Sequence, residues 1–311
     1  MKDTPSELVF EIAENYPISE EELSAVIAKS ENSIEAEVER TANAIISAGE
    51  NLKIVLLCGR SASGKTTFTK KLCKKLSEKG KEAKHIALDD FFLGIEALPR
   101  NEDGSYDMES IKGLDVALAN ECFKKLLTEG KADFPTFDFP KQRRGDLWNR
   151  VEVDEKSIII IEGIHVLNPL LTEGISEEGI MRVFVEPVCK YCKNEKNVLT
   201  SEEMRFIRRT VRDELFRAWE AEKTFMQWKS VIAGEKIYIE PYISSAKIRV
   251  NTASEMEPSF FVKVLGEMFG RISEKSPYYA DSKALLEKIE KFPPLNKDFL
   301  PKDSLLREFV G

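Results

Sequence analysis

Histidine is nearly missing from this chain of 311 residues. Only His85 and His165 occur, far apart in sequence, so a histidine-based triad is not expected and proton handling falls to carboxylates. Cysteine is scarce too, and five copies suit reduced thiols in a cytoplasmic protein. Cys189 and Cys192 form a lone C-x-x-C with no second Cys or His pair at zinc spacing, so no metal is expected there. Long hydrophobic runs are absent: Ile158 to Ile161 is far too short to span a bilayer, and the first residues lack the basic start and apolar stretch of a signal peptide. Positive charge is also short. The net charge of -8 argues against a general nucleic-acid binder, whose affinity would come from a basic surface. The expectation is a cytoplasmic chain with neither membrane nor nucleic acid as partner.

The acidity is uneven. Residues 1–50 hold twelve Asp and Glu against three Lys and Arg, so that segment accounts for the net charge and basic residues elsewhere can act locally. At this length one principal domain with helical flanks is expected. The stretch that organises it is Gly59-Arg60-Ser61-Ala62-Ser63-Gly64-Lys65-Thr66, after the apolar run Ile54 to Cys58 and before a Lys-rich segment of helical period. Strand, glycine loop and helix in this order make a P-loop. Gly59 and Gly64 let the backbone curl until its N–H groups point inward, and the helix dipole adds positive potential, so Gly59 to Thr67 form a cradle for polyphosphate. Lys65 is expected on the β- and γ-phosphates and the Thr66 hydroxyl on Mg²⁺.

Ser19 and Glu22 make a capping box, and the first fifty residues read as helices. After the loop, a helix carrying Phe68, Leu72 and Leu76 stops at Gly80, and Lys84 to Leu88 is a strand ending in Asp89-Asp90-Phe91-Phe92. A turn-rich loop, Pro99 to Asp107, leads to a helix over Asp115 to Glu129 closed by Gly130. Ala132 to Phe139 reads as extended, with Pro135 and Pro140 limiting its pairing, and Lys141 to Arg150 as a basic loop. Ser157 to Ile161, Arg182 to Val185 and Ile248 to Asn251 are further strands, expected in one parallel sheet with helical crossovers. Phe260, Phe261, Val264, Leu265, Met268 and Phe269 form a helical core stripe, and the residues after Pro293 and Pro294 a tail of uncertain order.

Ligands in such sheets bind at the strands' carboxyl edge. Glu162 ends the Ile158 to Ile161 strand, where a carboxylate would hold Mg²⁺ directly or through water. Asp89 or Asp90 could accept the proton of an acceptor hydroxyl, or simply cap a helix. Arg208, Arg209, Arg212 and Arg217 put at least two guanidinium groups on one helix face; they either close over a transferred phosphoryl or form a solvated face balanced by Glu202, Glu203 and Asp213.

From Leu52 to Asn251 the chain resembles the uridine kinase and phosphoribulokinase family of P-loop kinases. Beyond the phosphate loop, Leu88-Asp89-Asp90-Phe91-Phe92 is similar to that family's D-[SD]-[FY]-[FY], which implies Asp89 as the catalytic base. Tyr106-Asp107 with Leu114-Asp115 resembles its ribose-binding segment, Phe134 to Phe139 its pocket-lining strand, and Ile161-Glu162-Gly163-Ile164 its Mg²⁺-binding strand end. Arg208-Arg209-Thr210-Val211-Arg212-Asp213 with Arg217 matches the lid. The resemblance implies catalytic roles for Asp89, Lys65, Arg209 and Arg212, and acceptor contacts from Asp107, Phe137, Phe139, Gln142, Arg144, Arg209 and Arg217. It also implies an ATP-dependent transfer to a primary hydroxyl, with a pyrimidine nucleoside as acceptor, and is compatible with a homo-oligomer. Three departures touch the acceptor site: Gln142 stands where a base-reading His is usual, the ribose segment is longer and lacks H-P, and Ala218-Trp219 replaces Gly-Arg. A kinase of another alcohol or sugar phosphate, and a nucleotide-gated regulatory protein, are the alternatives. The expected fold is α/β, a doubly wound and mainly parallel P-loop sheet, with a helical flank over 1–50, a kinase domain over 51–255 whose lid is about 201–235, and C-terminal helices and tail over 256–311.

Overall fold

The computed structural model describes residues 5–12, 19–100, 106–139 and 141–311, so part of the turn-rich loop at 99–107 and Pro140 lie outside the described residues. It begins with a strand, β1 (Leu8–Glu11), where helix was expected. Four residues are too few for a periodic signal, and their partner is remote: β1 pairs in parallel with β8 (Cys189–Lys193). The helix α1 (Glu20–Ser47) starts at the expected capping box, the Ser19 hydroxyl accepting the Glu22 N–H and the Glu22 carboxylate accepting the Ser19 N–H.

Next come β2 (Ile54–Gly59), α2 (Lys65–Glu78) and β3 (Ala83–Ala87). The helix α3 (Val116–Glu129) is capped by the Asp115 carboxylate, which accepts the Leu118 N–H, and ends at left-handed Gly130. With β6 (Ile158–Gly163), β7 (Ile180–Glu186) and β10 (Ile248–Asn251), these strands form a parallel sheet in the order β10-β7-β2-β6-β3. Both faces of this sheet are covered, so every residue of β2 and β6 is buried and each reads as an unbroken apolar run. Alternation divides β2 between two cores. Val55 and Leu57 join Phe68, Leu72 and, from α1, Ile34, Val38, Ala42 and Ile45, while Ile54, Leu56 and Cys58 join Phe91, Phe123 and Phe134 on the other face. The doubly wound α/β fold is as expected. The chain runs from β2 to β3 and back through β6 on one side, then to β7 on the other, so the carboxyl ends of β2, β6 and β7 frame the crevice where such sheets take ligands.

One stretch departs from expectation. Instead of an extended segment followed by a basic loop, β4 (Lys131–Asp138) and β5 (Arg143–Glu152) form an antiparallel hairpin outside the parallel sheet. Pro135 is tolerated because the register shifts between it and Phe137. Along β5 most side chains are exposed, including Leu147 and Trp148, so its sequence carries no buried period to announce a strand.

The remainder is mostly helical. After β9 (Lys196–Thr200), which pairs with β8, come α4 (Ser201–Arg217), α5 (Ala221–Tyr238), α6 (Glu240–Ile243), α7 (Glu257–Gly270) and α8 (Tyr279–Ile289). Cys189 and Cys192 are buried in β8, and among the described residues no cluster of three His, Cys, Asp or Glu could hold a metal. Phe260, Phe261, Leu265, Met268 and Phe269 are core residues of α7, as their spacing predicts. The tail is ordered rather than loose: it ends in a short helix, α9 (Arg307–Val310), whose Phe309 is fully buried. No helix among the described residues is long and apolar enough to cross a membrane.

Candidate active site

The turn after β2 has the geometry its glycines demand. A Cβ on Gly59 would lie 2.4 Å from the Val185 carbonyl oxygen and 2.5 Å from the Ser63 hydroxyl, so no larger residue fits. Gly64 has φ +85, in the left-handed region, and Ala62 is left-handed as well. The chain thereby coils around the start of α2 with the N–H groups of its first turn free of intrahelical partners. Ser63 is buried under this coil, and Lys65 extends from it into a cavity.

Thr66 and Glu162 meet beneath the cradle. The Thr66 hydroxyl lies 3.2 and 3.1 Å from the two Glu162 carboxylate oxygens. Burial pushes the Glu162 carboxyl up to about 7; Lys65 opposes the shift, and Asp89 and Glu308 add to it. A buried carboxylate beside further anions, with a hydroxyl on it, suits a hard cation. Mg²⁺ is commonly held by one or two protein oxygens with substrate phosphates and water completing its shell, so Thr66 and Glu162 fit that ion although no all-protein cage is present among the described residues.

The arginines of α4 divide into two groups. Arg205 pairs with Glu235 of α5, and Arg208 is fully buried against Glu257 of α7; both also reach P-loop carbonyls, at Ser61 and Ala62, each at 3.4 Å. These two brace the loop from behind. Arg209, Arg212 and Arg217 instead converge on Asp213, at 3.4, 2.7 and 3.4 Å. Asp213 is itself fully buried, and all three arginines line the cavity. Arg209 also donates to the Ser61 hydroxyl at 2.9 Å, tying this cluster to the phosphate loop. Burial, with Arg212 beside it, pushes the Arg217 pKa down to about 10. The helix face is thus an enclosed cationic wall, not a solvated one.

The cavity, of about 160 Å³, lies between this wall, the P-loop and the hairpin. Asp89, Phe137, Phe139 and Gln142 line it beside Ser61 and Lys65. Phe137 and Phe139 meet edge to face, and Arg217 lies over the Phe139 ring. Asp90 turns away and its carboxylate accepts the Phe137 N–H at 3.2 Å. Two expected acceptor residues are not brought to the lining. The Asp107 carboxylate accepts from the Glu109 N–H and the Tyr238 hydroxyl, and Arg144 donates to Asp115 at 2.9 Å. Glu109 and Trp219 take places on the wall that sequence reasoning did not assign. Glu109 is buried 3.9 Å from Arg209, and nothing in its loop sequence marks it out.

These geometries can be set beside known proteins. The phosphoribulokinase / uridine kinase family profile matches residues 54–258, more than half of the chain. A uridine kinase of Ureaplasma urealyticum is 23% identical over 198 residues, covering 63% of this chain and 86% of the relative. A uridine kinase of Staphylococcus aureus is 26% identical over 182 residues, covering 58% of this chain and 77% of the relative. The solved structure of D-glycerate 3-kinase from Cryptococcus neoformans is 13% identical with a TM-score of 0.47, over 65% of this chain and 88% of its own. The family match begins at β2 and runs through the P-loop, Glu162 and the α4 arginines into the start of α7. This chain belongs to the phosphoribulokinase / uridine kinase family and is an ATP-dependent P-loop kinase.

Proposed function

We propose that this kinase transfers the γ-phosphoryl of ATP to a primary hydroxyl of a small metabolite, and that its acceptor is the 5′-hydroxyl of a pyrimidine nucleoside. The observation that carries the reading is that one cavity is lined both by Lys65 and Ser61 of the P-loop and by Asp89, Phe137 and Phe139. An aromatic wall suits a planar base, and Gln142 can both donate to and accept from its edge. Relatives named uridine kinase point the same way.

In this reading Lys65 and the loop amides hold the phosphate chain in line with the hydroxyl. Asp89 accepts the hydroxyl proton as the oxygen attacks the γ-phosphorus. Arg209 and Arg212 balance charge as it spreads over the transferred group, and the enclosed wall keeps water from competing. Thr66 and Glu162 would hold Mg²⁺, which when bound supplies neutralisation of phosphate charge. Residues 51–255 are taken as the kinase unit, and both flanks lend it buried side chains.

A second reading draws on the charge of the wall. Lys65, Arg209, Arg212 and Arg217 line the cavity with Asp89 and Glu109, and Asp213 lies buried behind the three arginines, so a cationic excess is left that would also suit an acceptor already carrying phosphate. ADP release from Mg-ATP, measured with uridine, cytidine and a panel of phosphorylated sugars, separates the two. Stimulation by a pyrimidine nucleoside, with the phosphate found on its 5′-oxygen, supports the first reading; stimulation by sugar phosphates alone replaces it with the second.

A further inference from the structure

The C-terminal segment reaches into the phosphate cradle. One Glu308 carboxylate oxygen accepts from both the Thr67 N–H, at 3.0 Å, and the Thr67 hydroxyl, at 2.8 Å. That N–H belongs to the first turn of α2, whose donors have no partner within the helix and are the ones a P-loop turns toward the α- and β-phosphates. Beside it, Leu305 covers Gly64, with its methyl carbon 2.7 Å from where a Cβ would stand. A carboxylate oxygen therefore sits on the donors that a phosphate oxygen of the nucleotide would use.

The backbone around Glu308 is firmly attached. Phe309 is fully buried beneath the Arg208 guanidinium, 5.0 Å from its ring centroid, and the Ser304 hydroxyl donates to Glu31 of α1 at 2.6 Å. Arg307 donates to the Leu300 and Gly311 carbonyls, each at 2.8 Å. Against this anchored frame the Glu308 side chain is only half-buried and can rotate by itself. Its acidity joins that of Glu162 and Asp89 around the cradle, where the charges already act on one another.

We infer that Glu308 is a built-in competitor of the donor nucleotide: it fills a phosphate place on Thr67 in the empty enzyme and must swing away before a nucleotide can bind. This rests on the donor reading of the P-loop. Two anions cannot share one N–H and one hydroxyl at hydrogen-bond distance, so the strength of the Glu308 contact is subtracted from donor affinity. A hydrogen bond to a charged group is strong enough to change affinity by about tenfold to a hundredfold.

The test is the binding of ATP and ADP by calorimetry, without acceptor, to the wild-type protein and to Glu308→Ala and Glu308→Gln. The expected result is nucleotide affinity about tenfold or more above wild type in Glu308→Ala. Glu308→Gln should gain less, because its amide oxygen can still accept from Thr67. Equal or weaker binding in the variants, with wild type binding normally, overturns this inference and leaves the donor reading standing. No binding by any of the three proteins at millimolar nucleotide overturns both. Thermal melts check that the variants are folded; if Glu308→Ala does not fold, Glu308→Gln decides, a gain supporting the inference and no gain overturning it.

Discussion

Asp90 gives its carboxylate to the hairpin, at 3.2 Å from the Phe137 N–H, while its neighbour Asp89 faces the cavity. The adjacent acids are therefore separable by experiment. Asp89→Asn should lower kcat by about 10² to 10⁴, the range for a lost general base, with the dissociation constant for ATP little changed. Full activity on a proven acceptor would remove Asp89 from the mechanism. Asp90→Asn should act instead through the hairpin, raising the acceptor KM more than it lowers kcat. His165 offers a test of a different kind. It is buried edge-on to Tyr238 with neither ring nitrogen hydrogen-bonded, and burial pushes its pKa down to about 4, the nearby Glu109 backbone opposing the shift only weakly. The folded state thus binds fewer protons than the unfolded state, in which histidine titrates near 6.5, so the stability linked to His165 is whole above about 6.5 and is lost as pH falls toward 4. The full loss is about 3 kcal/mol. Urea titrations between pH 7 and 4 should show this component in the wild type and its disappearance in His165→Phe; an unchanged pH slope would mean that His165 titrates normally.

At the scale of elements, how legible a segment was in the sequence depended on whether its partners are local. The P-loop announces itself because two glycines, a Lys and a Thr must recur at fixed spacing for steric and electrostatic reasons, and its flanking strand and helix are buried on predictable faces. The capping box at Ser19 and the stop at Gly130 are local too. By contrast β1 is stable only beside β8, and β5 only beside β4, so neither has a pattern of its own. The position of Arg144 follows from this. It lies in β5 and reaches Asp115, whose carboxylate also caps α3, so the hairpin and the helix share one side chain. Asp115→Ala should cost about 1 to 2 kcal/mol in chemical denaturation, as the loss of a cap does, while leaving kcat near wild type. A large fall in acceptor affinity with no loss of stability would instead return Arg144 and Asp115 to the acceptor site.

Across the whole molecule the connection that matters most runs through Arg208. Fully buried, it pairs with Glu257 of α7, donates to the carbonyls of Thr252 and Ala62, and stands over Phe309, so the lid-like helix, the end of the sheet, the P-loop and the C-terminal segment all meet at one guanidinium. Sequence spacing grouped Arg208 with Arg209 and Arg212, because position along a helix cannot say which guanidinium finds a buried carboxylate forty-nine residues further on. A pair like this contributes little net energy compared with well-packed apolar residues, since desolvation offsets its attraction, but breaking it leaves one charge buried without a partner. Glu257→Gln should therefore destabilise the protein by about 3 to 5 kcal/mol, and the double variant Arg208→Met, Glu257→Leu should recover much of that loss. If charge pairing alone is at stake, the double variant regains stability and nucleotide affinity together. If Arg208 also props the loop through Ala62, stability returns while nucleotide affinity stays low, because the carbonyl it held is left without its donor.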